Sequence, residues 1–354
     1  MLQHQSSKRL HNEWHDQIAT LLCWPHQQSD WFEQIDRVAP EFAAFAATIT
    51  RFQKLLLICH DEATWQQAQP WLKKAGADFS QIQPLLIATN DTWCRDFAPL
   101  TLQVDGKPQL LNLVFNGWGQ KYDHALDAAA AADPVMVEAL TELYSNHPQP
   151  QWNHQALVFE GGGLESNGAG VLLTTDACVM HPKRNPDLSR QQILKKLSEL
   201  TGASEVYSLS EGGLSGDDTD SHIDNLARFV SKNCIVYLQC DQTDDENYSA
   251  LNKMQRELLT LQRPNNQPDF DLIAMPQPDP IFDCDNRRVP ASYINFVLVN
   301  GAVLVPQYGV AQDATALQIL GDCFPDRQAI GLSCRALIEQ NGSLHCLSMQ
   351  LPKI

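Results

Sequence analysis

Positive charge is scarce in this sequence: 25 Lys and Arg stand against 42 Asp and Glu, a formal net charge of −17 over 354 residues. A nucleic-acid binder needs a surplus of Lys and Arg on some face to neutralise phosphates, and the chain has no basic run. Long apolar segments are missing too. The richest stretch, near 297–306, is broken by Asn300-Gly301, and the region from Met1 to Gln17 is polar, so neither a membrane span nor a secretory signal is expected. The ten cysteines stand singly at 23, 59, 94, 178, 234, 240, 284, 323, 334 and 346, without a C-x-x-C pair. That usage suits free thiols in a reducing cytoplasm. Most of them read as small buried hydrophobes.

Two further absences narrow the organisation. No linker rich in Gly, Ser or Pro divides the chain, and no glycine-rich loop ends in the Gly-Lys-Ser/Thr of a phosphate cradle. What is present is an ordinary globular composition, 44% hydrophobic and 19% charged, with enough apolar side chains for a large core. The acidity favours solubility and the attraction of a cationic ligand.

Short hairpin signals recur, each a β-rich run, a turn dipeptide and a second β-rich run. Asp105-Gly106 separates 101–104 from 109–115, Asn167-Gly168 precedes 171–174, and Lys232-Asn233 divides 227–230 from 234–238. Asn300-Gly301 divides 293–299 from 302–305, and Asn341-Gly342 divides 336–338 from 344–349, which makes five hairpins. Their spacing is too long and irregular for a simple solenoid. Helical patterns lie between them: 188–200, opened by Asp187 and closed by Gly202; 249–261; and 314–324, capped by Asp313. Helices at 42–52 and Glu62–Ala75 flank a strand at Lys54–Cys59, and 263–285, with five prolines at 264, 268, 276, 278 and 280, reads as an extended surface loop or a cover for a site. Repeated hairpin-plus-helix units without linkers most simply close around a pseudo-axis as one α/β domain over 1–354.

Five segments carry polar groups that a core would not take without a reason: 91–99 (DTWCRDFAP), 116–122 (NGWGQKY), 160–163 (EGGG), 216–228 (GDDTDSHIDNLAR) and 342–346 (GSLHC). In a closed ring, equivalent ends of the units converge, so Asp96, Glu160, His222, Asp224 and Cys346 can meet although they are far apart in sequence. Asp218, Asp220, His222 and Asp224 alternate and would share a face if extended. A calcium loop fails, because the sixth position counted from Asp218 is Ile223 and the twelfth is Phe229. A zinc site is disfavoured, since His345-Cys346 and Cys59-His60 are sequence neighbours that would splay to opposite sides of a strand; no metal is expected. The bland alternative is a solvated acidic turn. Cys346 attacks only as a thiolate, with a reference pKa of about 8.5, so it needs a cation or a base; His222 suits better than His345, which strand parity points away. The glycines 161–163 and 216 read as tight turns needing positive φ.

These segments together resemble the agmatine deiminases and their bacterial peptidylarginine deiminase relatives, of pentein fold. The resemblance runs from Trp24-Pro25-His26 through D-x-W-x-R-D-x-x-P at 91–99, N-x-W-G-x-K-Y at 116–122, E-G-G at 160–162 and T-D-x-H-x-D-N at 219–225 to G-x-x-H-C at 342–346. It implies a five-bladed α/β propeller and hydrolysis of a guanidinium to a ureido group with release of ammonia, without metal or organic cofactor. For agmatine the product is N-carbamoylputrescine. By matching position Cys346 is the nucleophile, forming a thiouronium intermediate. His222 is the general acid and base, Asp96 and Asp224 bind the guanidinium, and Glu160 supports the histidine. A guanidinium is planar, carries a pKa of about 13.8 and presents paired N–H groups, which two carboxylates can hold bidentately. Its charge also favours a nearby thiolate. Trp93 and Trp118 are expected as aromatic walls or as core aromatics beside the turns, and Asp220 as a further substrate-binding acid.

The chain departs from the family pattern at Phe97-Ala98, where Thr-Gly is usual, and at Ser221 and Asn341, where Gly is usual; the segment after Glu160 also differs. These departures bear on specificity. The expected partner is a small cationic guanidine in the cytoplasm, with no nucleic acid and no membrane, and homo-oligomerisation is left open. Deimination of peptidyl arginine is the neighbouring alternative, with Arg95, Lys121 and Arg228 as candidate carboxylate partners and Arg95 equally an ion-pair partner of structural use. A non-catalytic guanidine or polyamine binder is the alternative from another class.

Overall fold

The computed structural model describes residues 7–146, 150–261 and 269–354. Five separate sheets are present, and four repeat one pattern: two antiparallel strands joined by a tight turn, then a helix, then a third strand parallel to the second. Leu100–Val104 and Lys107–Val114 form the first such hairpin, and Gln151–Val158 returns beside the latter. Glu165–Ser166 with Val171–Thr175 begins the second, completed by Glu205–Leu209. Ala227–Ser231, Cys234–Gln239 and Asp271–Pro276 make the third, and Val297–Val299, Ala302–Gln307 and Gln328–Ser333 the fourth.

The fifth unit is built from both ends of the chain. The last strand, Ser348–Pro352, pairs antiparallel with Gln17–Cys23, which continues through Lys54–Cys59 and Ile82–Leu86 in parallel. This corrects the expected hairpin at Asn341-Gly342. The run 336–338 is no strand: Leu337–Gln340 is a short 3-10 turn ended by Asn341 at φ +65, a conformation Asn tolerates. The β-rich residues after it find their partner at the other terminus. Cys346 therefore sits on a tight turn ahead of the last strand, and the parity argument about its neighbour His345 does not apply.

Local chemistry explains the other adjustments. The helix expected from 188 spans Arg190–Thr201, because Ser189 and Gln192 exchange side-chain bonds with each other's backbone as a capping box, and Asp187 plays no part. Asp313 is the first residue of its helix, not the cap; its carboxylate accepts the Tyr308 and Gly309 N–H groups and the Tyr293 hydroxyl instead. The helix expected from 42 begins at Ile35 and runs through Pro40 to Thr50. Part of the proline-rich stretch is a true strand, Asp271–Pro276, whose Pro276 sits at its end; Pro264 and Pro268 lie outside the described residues.

Apolar side chains fill the space between sheets and helices as one contiguous cluster. Leu55, Leu56, Leu57 and Ile58 are all fully buried, since a parallel strand covered on both faces has no wet side. Each contributes about 1.5–3 kcal/mol by leaving water. Among the described residues no helix is long and apolar enough to cross a membrane. The packing fixes one feature that matters below: each unit's first strand is entered by a short loop or turn, and the polar segments of the sequence sit at these entrances.

Candidate active site

The entrance to Leu100–Val104 is the single turn Cys94–Phe97, which carries Asp96; the entrance to Glu165–Ser166 is the turn Gly161–Gly163, preceded by Glu160. The 3-10 turn Ile223–Asn225 before Ala227–Ser231 presents His222 and Asp224, and the turn at 343–347 presents Cys346. Three of these groups meet at one point. A Cβ added to Gly162 would lie 2.6 Å from His222 Nδ1, 2.9 Å from Asp96 Oδ1 and 3.1 Å from Asp224 Oδ2, so glycine is needed there for space. The expected positive φ is found at Gly216 but not at 161–163.

Cys346 and Asp96 line a cavity of about 230 Å³ together with Trp93 and Trp118. His222, Asp224 and Glu160 are wholly buried directly behind them. The Cys346 sulfur is 3.7 Å from Asp224 Oδ2. Asp96 accepts the Gly162 N–H at 2.8 Å on one oxygen and the Trp118 indole N–H at 2.9 Å on the other. His222 lies between carboxylates, Nδ1 3.8 Å from Asp96 and Nε2 3.8 Å from Glu160, distances of ion pairs and not of hydrogen bonds. Both its nitrogens, and Asp224 Oδ1, are buried without a hydrogen-bond partner among the described residues.

Electrostatics follow from this packing. Burial opposes the charged form of His222, but Asp96, Glu160 and Asp224 outweigh it and push the imidazole up to about 9. Burial, with Asp224 and Asp96 adding to it, pushes the Cys346 thiol well up, so the resting sulfur is protonated. Burial also raises Asp96, only partly relieved by His222. For Glu160 and Asp224 the burial penalty is overcome, by His222 and Arg184 in the first case and by His345 and His222 in the second, and both stay below the usual carboxylate range.

Of the expected site residues, Cys346, Asp96, Trp93 and Trp118 face the cavity and His222, Asp224 and Glu160 adjoin it. Asp220 does not line it; at φ +68 its carboxylate turns to Arg184 and Lys121, each at 2.7 Å. The segment 218–224 is coiled, so its acids do not share one face. Arg95 and Arg228 are buried structural partners of Glu13, as is Arg228 of Glu165. Of the four departures from the family pattern, Asn341 alone lines the cavity, donating to Asp218 at 2.9 Å beside Tyr122 at 2.8 Å; Phe97 packs on Phe115, and Ser221 bonds Asp217.

Several residues escaped the sequence reading. Arg184, fully buried, holds both Glu160 oxygens at 2.8 and 2.9 Å, and nothing in its local sequence signals this. His345 bonds Asp224 at 2.7 Å and Glu13 at 2.8 Å. Asn295 donates to the Cys346 sulfur at 3.1 Å; its signal was positional, for it stands at the entrance of the fourth unit.

Comparison with known proteins places the whole chain among deiminases. The family model described as Porphyromonas-type peptidyl-arginine deiminase matches residues 9–352. A solved structure from Porphyromonas gingivalis, provisionally named an arginine deiminase, is 39% identical, superposes with a TM-score of 0.89 and covers 98% of this chain and 99% of its own. A structure of C. jejuni agmatine deiminase, a cysteine-to-serine variant with substrate bound, is 32% identical with a TM-score of 0.88 over 100% and 98% of the two chains. A Selenomonas ruminantium protein provisionally named agmatine deiminase is 34% identical over 97% of this chain and 95% of its own. The fold likeness extends to a dimethylarginine dimethylaminohydrolase, 10% identical at a TM-score of 0.50. This chain belongs to the Porphyromonas-type peptidyl-arginine deiminase family.

Proposed function

We propose that the protein is a hydrolase of the guanidino C–N bond that converts agmatine and water to N-carbamoylputrescine and ammonia. The observation that carries the choice of substrate is the charge of the cavity wall: among the described residues six aspartates, 30, 91, 96, 123, 127 and 218, line it, and no Lys or Arg does. Agmatine is cationic at both ends and bears no carboxylate, whereas free arginine or a C-terminal arginyl peptide brings an anion that this wall repels. Burial and neighbouring acids push Asp91 up to about 7 and Asp127 up to about 8, and a cation bound beside them would favour their ionised forms.

In this reading Asp96 and Asp224 hold the guanidinium against the Cys346 sulfur, and the arriving cation lowers the thiol pKa that burial has raised, so the thiol releases its proton to solvent, where the departing ammonia later takes one up. The thiolate adds to the guanidinium carbon. His222, protonated at neutral pH, gives its proton to the departing ammonia, leaving a thiouronium. It then takes one from the attacking water as the C–S bond breaks. The overall balance is guanidinium plus water to a ureido group plus ammonium. Glu160, locked by Arg184, keeps His222 charged. Trp93 and Trp118 flank the spacer or the flat cation, at about 0.5–2 kcal/mol. None of these steps calls on a metal or an organic cofactor.

We further read the five sheets as blades of one catalytic domain spanning 1–354, closed about a pseudo-axis where the entrances converge. Ammonia release from agmatine, arginine, methylated arginine and an arginyl peptide tests the function: agmatine should win by kcat/KM. Preference for the peptide would replace agmatine as substrate, and no turnover of any of them would leave a guanidine or polyamine binder.

A further inference from the structure

Four of the five unit entrances supply a residue to the proposed chemistry. The fifth, ahead of Val297–Val299, carries Asn295, and its side chain reaches the sulfur. We propose that Asn295 is a catalytic residue whose amide N–H stabilises the thiolate of Cys346. The inference rests on the reading of Cys346 as the nucleophile.

The orientation of the amide is set by its surroundings. Its oxygen accepts the backbone N–H of His345 at 3.0 Å and that of Cys346 at 3.4 Å. Its nitrogen donates one hydrogen to Asn225 Oδ1 at 3.0 Å and the other to the sulfur at 3.1 Å. Flipping the group would turn its oxygen toward the Asn225 oxygen and its NH2 toward two backbone donors, so four contacts select one arrangement. Asn295 is 1% exposed, so the donating amide is itself shielded from solvent.

A thiol is a weak acceptor, whereas a thiolate takes a charge-assisted hydrogen bond, so the same N–H favours the ionised sulfur. The charged and titratable groups facing Cys346 work the other way: Asp224 at 3.7 Å and Asp96 raise the thiol, and the Tyr308 phenol nearby brings no positive charge. The adjacent His345 ring is committed to Asp224 and Glu13. Among the described residues Asn295 is the one side chain that donates to the sulfur. It holds an uncharged donor there before any substrate arrives, and the substrate's guanidinium completes the ionisation.

The test uses iodoacetamide, an uncharged reagent that forms an S–C bond with the thiolate and expels iodide, read at Cys346 by peptide mass spectrometry across pH. In Asn295→Ala the apparent thiol pKa should rise by about one unit, a roughly tenfold slower alkylation at neutral pH, with a similar fall in kcat/KM for agmatine. Asn295→Asp is the sharper variant. Its carboxylate still accepts both backbone N–H groups but places a negative charge against the sulfur, so alkylation should be slower than in Asn295→Ala. A residue that only braced the turn would give the reverse order, Asp near the parent and Ala defective, and that result, or coincident pH profiles, overturns the proposal. Should the Ala variant fail to fold, the Asp profile alone decides. Turnover by Cys346→Ala would instead remove the nucleophile reading, whatever the Asn295 variants do.

Discussion

Two clusters of buried charge meet at the turn that carries Cys346, and they are finished to different degrees. On one side Glu13 accepts from His345 at 2.8 Å, Arg95 at 3.2 Å and Arg228 at 2.5 Å. Arg228 also reaches Glu165 at 3.1 Å and stacks 4.1 Å over the Phe296 ring. On the other side His222 has both nitrogens unbonded, Asp224 keeps one bare oxygen, and Asp96 is raised by burial among like charges. A buried charge without a partner is costly, and folded proteins rarely leave one. The complete cluster is thus a staple between the N-terminal segment, the third unit and the last turn. The incomplete one is a socket that opens on the cavity lined by Cys346 and Asp96.

The largest effect that can break this contrast is chemical. Cys346→Ala should lose turnover by at least about 10⁴-fold while its thermal unfolding and its agmatine affinity by calorimetry stay close to the parent's. Product formation by that variant would mean the socket is not where the reaction occurs.

Opposite substitutions on the two sides come next. Arg228→Met takes the guanidinium away from Glu165 and one of three partners from Glu13, and should cost about 3–5 kcal/mol of stability in urea unfolding, because a buried pair loses one partner. Asp96→Asn should do the reverse. Its raised pKa means the ionised carboxylate opposes folding at neutral pH, so stability should change by less than about 1 kcal/mol while guanidinium binding weakens by about 2–5 kcal/mol. If Asp96→Asn unfolds the protein and Arg228→Met spares it, the roles assigned to the clusters are exchanged.

The same contrast explains what the sequence made legible. Turn dipeptides and apolar alternation are local, and four of the five expected hairpins stand where Asp-Gly, Asn-Gly and Lys-Asn put them. The fifth depended on pairing residues 17–23 with 348–352, which no window contains. The socket residues lay in polar segments with no structural excuse, and so they drew attention. The staple was legible only in part. Arg95 stood out in its segment, with a structural ion pair as one of its two readings, but its partner Glu13 carries no local signal, and Arg184 acquires its meaning only from the distant Glu160 and Asp220.

pH provides a finer measurement. His222 is raised from 6.5 to about 9, so its contribution to stability is complete below 6.5 and is lost as pH climbs through 9. The parent should lose on the order of 3 kcal/mol across that window relative to His222→Gln, as the difference between their urea midpoints. Parallel curves would show that the neighbouring carboxylates do not hold the imidazolium.

The smallest effect concerns how the socket is kept open. Gly117, Trp118, Gly119 and Gln120 run consecutively at positive φ, 64°, 53°, 81° and 63°, a left-handed turn that costs a tryptophan about 1 kcal/mol. The turn is pinned: Asn116 accepts the Gly119 N–H at 2.9 Å and donates to the Lys183 carbonyl at 2.9 Å. What the strain achieves is the placement of the indole N–H on Asp96 at 2.9 Å, which occupies one oxygen and aims the carboxylate. Trp118→Phe preserves the ring and the turn but removes that donor. The loss should be about 1.5 kcal/mol, roughly a tenfold rise in KM for agmatine, with kcat much less affected and stability nearly unchanged. A drop in kcat alone would place the indole on the reacting carbon's side of the cavity instead of on the carboxylate that orients it.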